Sequence, residues 1–390
     1  MVKFAHIADC HLGGWKQQPM QELNLQSFKK AIEECIKERV ELVVIAGDLF
    51  DTAFPPIDIL KETFAEFRKL KDAGIPCFLI AGSHDYSVSG KTFLDVLEKA
   101  GFCKNVGNDF EEKNGKLILN PSIHKGVAIY GYPGKTSGLE IHDLRRASFN
   151  EAPGMFKIFM LHTTIDKARG SLPIDALETA KLPHADYYAC GHLHIDFQYE
   201  NFVYPGPVFP NNFQELEDLQ FGRFYIVDSR LEKPLKRVDL KIRDVVSINI
   251  EVKNALRATQ QIISEMEKHD LQDKVVLLRI RGLLESGKHS DIKFAQIESL
   301  AEKKGAYFLL RNTNDLKIKE SEAEMDLKGI TETEDIEQEA IKSFSEQNPS
   351  TFNTVLPQIM AAFSTEKQEG ETSETFVLRL MDETKKIFKI

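Results

Sequence analysis

The chain has 390 residues, which at roughly 150 residues per domain makes two to three domains and excludes a single small module. Its composition, 42% hydrophobic, 9% aromatic and 28% charged, is that of an ordinary globular protein and excludes collagen-like, low-complexity and wholly disordered chains. A net charge of -10 argues at first sight against a polyanion-binding surface, yet residues 321–390 alone carry -8 and leave residues 1–320 at -2. Cys10, Cys35, Cys77, Cys103 and Cys190 are scattered and never form a C-x-x-C pair, so neither a disulfide framework nor a zinc ribbon fits. The N-terminus has no apolar leader, and no apolar run approaches the roughly 20 residues of a membrane span. The expectation is a reducing, intracellular setting, cytoplasmic and nucleoid-associated, without membrane contact.

In chain order, short apolar runs predict strands at Phe4–Ala8, Leu42–Ala46, Cys77–Ala81, Ile158–Leu161 and Tyr187–Cys190. Between them, apolar residues three and four apart predict helices at Leu23–Lys37, Ile57–Lys71 and Thr92–Ala100. This alternation is that of a layered α/β domain. Alternating runs at Gln198–Tyr204 and Arg223–Asp228 predict antiparallel strands that complete a second sheet. A module of about 80 residues follows, with strands at Ser247–Val252, Val275–Ile280 and Tyr307–Leu310 and helices at Ala255–His269 and Ile292–Lys303. The expected domains are residues 1–240, 245–320 and 321–390, the last an acidic linker with amphipathic helices. One apolar stripe there joins Phe352, Leu356, Ile359, Met360 and Phe363, and another joins Phe376, Leu380 and Met381. Such stripes either complete the protein's own core or dock a partner by the helix-in-groove mode.

Chemistry is concentrated where the apolar runs stop. Five of them end directly in a potential metal ligand: Asp9-Cys10-His11, Gly47-Asp48, Gly82-Ser83-His84-Asp85, His162 and Gly191-His192-Leu193-His194. In α/β sheets ligands bind outside the carboxyl ends of the strands, so these loops should converge. Each piece alone has an ordinary reading: turn capping for D-x-H, an Asx turn for Gly47-Asp48, a satisfied core residue for a lone histidine. Five together point to a metal centre, with glycine before three of them to let the backbone turn. Imidazole and carboxylate without thiolate suit Mn, Fe or Zn, and the oxygen share leans toward Mn. Two carboxylates and four histidines exceed one ion and suit two sharing a bridging Asp, an arrangement that clamps an in-line displacement at phosphorus. His84 and Asp85 read as a catalytic pair in which Asp85 orients the ring and His84 protonates the leaving oxygen. Cys10, between two ligands in an extended segment, reads as a buried filler. For Trp15, packing and a DNA-touching loop are both open; for Arg145, Arg146, Lys167 and Arg169, a solvated face and phosphate contact are both open.

The ordered set D-x-H, G-D, G-x-H-D, H, G-H-x-H resembles the calcineurin-like metallophosphoesterase superfamily over about residues 1–230. Within it, Gly47-Asp48-Leu49-Phe50-Asp51 followed by Pro55, the Tyr204-Pro205-Gly206 turn and the order of the later units are similar to double-strand-break repair nucleases of the SbcD type. The resemblance implies a two-sheet α/β/β/α sandwich with a small α/β DNA-capping domain and a helical tail. It implies two Mn ions, one held by Asp9, His11, Asp48 and His194 and the other by Asp48, His162 and His192. Ser83 stands where most relatives have a ligating Asn, which predicts a weaker second site, and Pro207 stands where many have Ser. Also implied are 3′ to 5′ exonuclease activity on duplex DNA ends, endonuclease activity on single strands and hairpins, and a homodimer joined by the helices Ile57–Lys71 and Thr92–Ala100. The tail would bind an SMC-like ABC ATPase of the SbcC (Rad fifty) type. Two other classes stay open: a phosphodiesterase for a small substrate such as a cyclic nucleotide or nucleotide sugar, and a non-catalytic DNA-binding scaffold.

Overall fold

The computed structural model describes residues 1–87, 90–170 and 175–318, with a few positions beyond (358, 379–382, 385 and 386). Two six-stranded sheets make the body of the protein. The first runs in the order Leu235–Leu240, Gly222–Asp228, Lys3–Ile7, Leu42–Ala46, Cys77–Ile80, Lys104–Asn105. The second runs Phe197–Tyr199, Phe202–Tyr204, Tyr187–Gly191, Phe156–His162, Val127–Tyr132, Ser122–His124. The central strands of each are parallel, so their carboxyl ends open on one side.

Alternation along the strands sets the layers. Phe4, Val44, Phe78 and Ile80 from the first sheet meet Ile129, Ile158, Met160 and Ala189 from the second in a shared core. Ala5, Ile7, Val43, Ile45 and Leu79 point the other way, under the helices Gln18–Lys37 and Ile57–Asp72. The outer face of the second sheet is covered by a three-stranded sheet (Phe110–Lys113, Lys116–Leu119, Ala147–Phe149) and the short helix Glu140–Leu144. Tyr130 stacks on Phe149 there at 3.8 Å. These covering strands, and the strand Val127–Tyr132, were not anticipated from sequence.

Other boundaries moved for local reasons. The first helix begins at Gln18 rather than Leu23 because Pro19 occupies its first turn. The expected strand Gln198–Tyr204 is a hairpin, Phe197–Tyr199 against Phe202–Tyr204, turning at Glu200, whose φ is +51°. The helix expected from Ile292 starts at Phe294 after a short turn of 3₁₀-helix.

Beyond residue 244 the strands Val245–Glu251, Val275–Leu284, Phe308–Asn312 and Leu316–Ile318 form a separate sheet packed on the helices Ala255–Glu267 and Phe294–Lys303. Its other face shares a cluster with the first unit: Val275, Leu277 and Leu310 pack with Trp15, Met20, Leu23, Phe209 and Leu216. Tyr307 also donates from its hydroxyl to the Pro19 carbonyl at 3.1 Å. In the tail, Phe352, Leu356, Ile359, Met360, Phe363 and Phe376 lie outside the described residues; Leu380 is helical and half-buried, Met381 helical and exposed. Among the described residues no helix is long and apolar enough to cross a membrane.

Glycine at the strand ends serves proximity as much as turning. Gly47 has φ +87°, and a Cβ there would sit 2.1 Å from Nδ1 of His162. Gly191 is ordinary extended strand, but its Cβ would fall 2.1 Å from the Ala46 carbonyl oxygen, so it is needed for the close approach of the two sheets. Gly191→Ala is therefore expected to cost about 3 kcal/mol or more, whereas Gly74→Ala, with φ +71° and open space around it, should cost about 1 kcal/mol. Chemical denaturation of both variants against the parent measures the difference.

Candidate metal centre

The five strand ends meet. Asp9, His11 and His194 offer ligand atoms within 4.8 Å of one another, as do Asp9, Asp48 and His162, and His11, Asp48 and His84. Asp9, Asp48 and His11 each belong to two of these groups, so these three sit at the centre with His84, His162 and His194 around them. Asp9, His11, Asp48 and His162 are almost fully buried. Their backbones are held in an uncommon state. Asp9, His11, Asp48 and His192 have φ of +50°, +43°, +48° and +90° and are four of the ten non-glycine residues with positive φ among those described. Such strain persists only where surrounding structure enforces it, and it clusters at functional sites. Here the N–H groups of Asp9 and His11 donate to the carbonyls of Gly47 (3.2 Å) and Asp48 (2.9 Å), pinning one loop to the next.

One pattern repeats in the histidines. His11 Nδ1 lies 3.1 Å from Asp51 Oδ1, His194 Nδ1 lies 3.0 Å from Glu215 Oε1, and His162 Nδ1 lies 2.9 Å from the Ala46 carbonyl. An acceptor on Nδ1 places the proton there and leaves the Nε2 lone pair for a ligand. The consequence is a set of ring nitrogens and carboxylate oxygens turned toward one another. His11 Nε2 and His194 Nε2 face each other at 3.0 Å, so when both rings are neutral and protonated at Nδ1 two lone pairs meet there. His162 Nε2 points at Asp48 Oδ2 from 3.1 Å, and the buried Asp9 Oδ2 has no hydrogen-bond donor. Nitrogen and carboxylate oxygen converging in this way fit divalent cations: Asp9 groups with His11 and His194 and also with Asp48 and His162, and Asp48 groups further with His11 and His84.

The electrostatics follow from the same contacts. Burial alone would lower the pKa of His162, but the Asp48 carboxylate outweighs it and raises the ring to about 10, so without a cation Nε2 holds a proton toward Asp48 that a bound ion would displace. For Asp48 burial works upward, and His162 and His11 more than offset it, so the carboxylate stays ionised below the usual range. Asp9 is pushed up by burial, opposed in part by His194 and His162. His192 falls to about 4 through burial and the neighbouring His162.

The remaining expected residues divide. His192 donates from its backbone N–H to Asp9 Oδ1 at 2.8 Å, and its ring lies 5.2 Å from that of His162, lining a cleft of about 720 Å³ beside the cluster. Ser83 also lines this cleft, and its carbonyl accepts from the Thr136 hydroxyl at 2.9 Å. His84 is half exposed there. Its backbone N–H donates to Asp48 Oδ1 at 2.8 Å and its Nδ1 donates to the Asp51 carbonyl at 2.9 Å, leaving Nε2 to exchange a proton.

Asp85 does not orient that ring, contrary to expectation. Its carboxylate is buried and accepts from the N–H groups of Gly82 (2.9 Å), Phe50 (3.0 Å) and Leu49 (3.3 Å), stapling the loop after Ala46 to the loop after Ala81. Burial and the charge of Asp48 raise its pKa to about 7.

Cys10 and Trp15 are packed, and three of the basic residues form surface ion pairs. Cys10 is buried in the core beneath the first helices. Trp15 is buried, with Nε1 donating to the Pro210 carbonyl at 2.9 Å. Arg145 pairs with Glu178 and Asp175, Arg146 with Asp143 and Glu112, and Lys167 with Asp166. Tyr204 of the Tyr-Pro-Gly turn is fully buried; its hydroxyl donates to the Thr163 carbonyl at 2.8 Å and accepts from the Ile165 N–H at 3.1 Å, fixing the loop that carries His162. Sequence reasoning missed the roles of Asp51 and Glu215. Asp51 closes the quoted G-D-L-F-D run, and Glu215 stands three residues after Asn212, a capping-box signal that could have placed it at a helix start.

Comparisons with known proteins agree with this geometry. The model of the calcineurin-like phosphoesterase family matches residues 2–196. The DNA double-strand break repair protein Mre11 of Methanosarcina acetivorans is 27% identical over 339 residues, covering 82% of this chain and 51% of that protein. The protein of the same name from Sulfolobus acidocaldarius is 26% identical over 352 residues, covering 84% and 86%. An uncharacterized metallophosphoesterase, YhaO, of Bacillus subtilis is 24% identical over 299 residues, covering 72% and 71%. The chain spans about half the length of the Methanosarcina relatives it matches. With half its length matched by the family model and its buried carboxylates and imidazoles gathered at the strand ends, the chain belongs to the calcineurin-like phosphoesterase family, metal-dependent hydrolases of phosphate esters.

Proposed function

We propose that this protein is a dinuclear, Mn-dependent DNA phosphodiesterase that trims duplex ends 3′ to 5′ and cuts single strands and hairpins in double-strand-break repair, together with an SMC-like ABC ATPase of the SbcC (Rad fifty) type. The observation that carries this reading is the set of imidazoles gathered on the buried carboxylates of Asp9 and Asp48 beside an open cleft; its support from relatives is the Mre11 similarity over 82–84% of the chain.

In this reading Asp9, His11, Asp48 and His194 hold one ion, and Asp48, His162 and His192 the other, with Ser83 at its edge. When bound, such ions supply Lewis acidity to the phosphoryl group and to the water that attacks it. His84 stands in the cleft with Nδ1 fixed by the Asp51 carbonyl, so its Nε2 delivers a proton to the leaving oxygen. Asp85 acts earlier, in folding: its three backbone hydrogen bonds set the loops that carry Asp48 and His84. The second unit, residues 245–318, is the DNA-capping element, and the tail stripes dock the ATPase.

A homodimer is part of the proposal. Phe54 (64% exposed), Ile57 (81%) and Val96 (46%) leave apolar surface at the start of the helix Ile57–Asp72 and on the helix Leu94–Lys99, with Phe54 and Phe93 in edge contact at 6.3 Å.

Three outcomes are expected. With Mn, end-labelled duplex DNA is degraded; His84→Gln lowers kcat about 10²- to 10⁴-fold with unchanged stability, whereas Asp85→Asn costs about 2 kcal/mol of stability. Hydrolysis of bis-p-nitrophenyl phosphate or a cyclic nucleotide without any DNA cleavage would end the repair reading. Calorimetric titration of Mn into Ser83→Asn should show the weaker binding step tightened about tenfold, and equal affinity would remove the idea that Ser83 weakens the site. Ile57→Glu combined with Val96→Glu should convert a dimer to a monomer in light scattering, and an unchanged mass would place the dimer contact elsewhere.

A further inference from the structure

The helix Phe213–Leu219 has one side on the metal centre and the other on the second unit. It starts at Asn212, whose side chain accepts from the Glu215 N–H at 2.9 Å. Glu215 reciprocates: Oε1 accepts from Asn212 Nδ2 at 2.6 Å and Oε2 from the Asn211 N–H at 2.8 Å. A carboxylate held at both oxygens has one rotamer, and in that rotamer Oε1 lies 3.0 Å from Nδ1 of His194. Glu215 and His194 are both only about one fifth exposed, so water competes weakly for this contact.

The other flank of the same short helix is gripped by Arg279, on the strand Val275–Leu284. Its Nη2 donates to Glu217 Oε2 at 2.6 Å and to Gln214 Oε1 at 2.7 Å, its Nε donates to Glu217 Oε2 at 3.1 Å, and the guanidinium lies 5.0 Å from the centre of the Phe213 ring. Asn249 Nδ2, from the strand Val245–Glu251, donates to Glu217 Oε1 at 3.2 Å. Leu216 is buried in the cluster shared with Val275, Leu277 and Leu310. Positions 214 and 217 are one helical turn apart and 215 lies between them, so a shift of the second unit moves 214 and 217 and carries Glu215 with them.

We propose that this helix is a lever through which the second unit sets the metal ligand His194: Glu215 is a positioning residue for the His194 ring, and Arg279 fixes Glu215 from the second unit. The inference rests on the reading of His194 as a metal ligand. It gives the second unit a role in metal affinity besides any contact with substrate, so a partner or polymer that displaced this unit would change how tightly the ion beside His11 and His194 is held.

The test is Mn titration calorimetry on the full chain, with thermal melts and selective ¹⁵N-histidine NMR of the metal-free protein to read the His194 tautomer. Glu215→Ala should weaken one Mn-binding step 10- to 100-fold, the range for an outer hydrogen-bond partner of a ligand, and remove the fixed Nδ1–H signal; Glu215→Gln should restore part of both. Arg279→Ala should weaken the same step roughly 2- to 30-fold. The double variant should be no weaker than Glu215→Ala, because both act through one contact. If Arg279→Ala fails to fold, Glu217→Gln takes its place with the same expectation. Multiplying losses in the double variant, or Glu215→Ala with the parent's affinity and tautomer, would overturn the lever while leaving the metal centre standing. A parent protein that binds no Mn would overturn the metal reading itself.

Discussion

Everything at the metal centre depends on where the Nδ1 protons go. His11, His162 and His194 can turn Nε2 inward only because Asp51, the Ala46 carbonyl and Glu215 hold their other nitrogens. Of these acceptors, the Ala46 carbonyl belongs to the opposite sheet from His162, and Asp51 and Glu215 follow other strands than the histidines they hold. The candidate ligand set is thus a property of how the sheets pack: the Ala46 carbonyl reaches His162 because Gly47 and Gly191 have no Cβ to hold the sheets apart. Asp85 extends the same logic to the backbone, joining two loops of the first sheet by accepting three N–H groups at once.

This packing also carries strain. Left-handed backbone at Asp9, His11, Asp48 and His192 costs on the order of 1–3 kcal/mol each. The offset is visible in the hydrogen bonds that those conformations permit. Asp9 alone donates to Gly47, accepts from the Val208 N–H at its carbonyl, and accepts from the His192 N–H at Oδ1. The large core between the sheets can bear that load, which is why the strained residues sit at its rim.

Much of this was legible in the sequence because the signals there are local. An apolar run of strand length that ends in Asp or His marks both a strand and a candidate ligand, and Asp9, His11, Asp48, His84, His162, His192 and His194 all lie around one cleft or cluster. What was not legible depends on partners distant in the chain. Asp85 follows His84 directly, and adjacency suggested a side-chain pair; the fold instead turns the carboxylate inward to amides 35 and 36 residues away. Glu215 lies in an unremarkable polar helix whose meaning comes from a histidine 21 positions earlier. The strand Val127–Tyr132 was missed although it is fully buried, since a six-residue run with glycine and two tyrosines resembles no simple period.

The charge balance takes on a physical shape once the ion pairs are known. The first 320 residues are nearly neutral, and three of the cations weighed between a solvated face and phosphate contact, Arg145, Arg146 and Lys167, are engaged by carboxylates on their own surface. A phosphate backbone approaching that surface would have to displace these pairs, which returns little net energy. On the proposed function, attraction must then come from the cleft, where bound cations would reverse the local sign around Asp9 and Asp48. Affinity for DNA would in that case be coupled to metal occupancy, and a lever acting on His194 would regulate substrate binding as well as the chemical step.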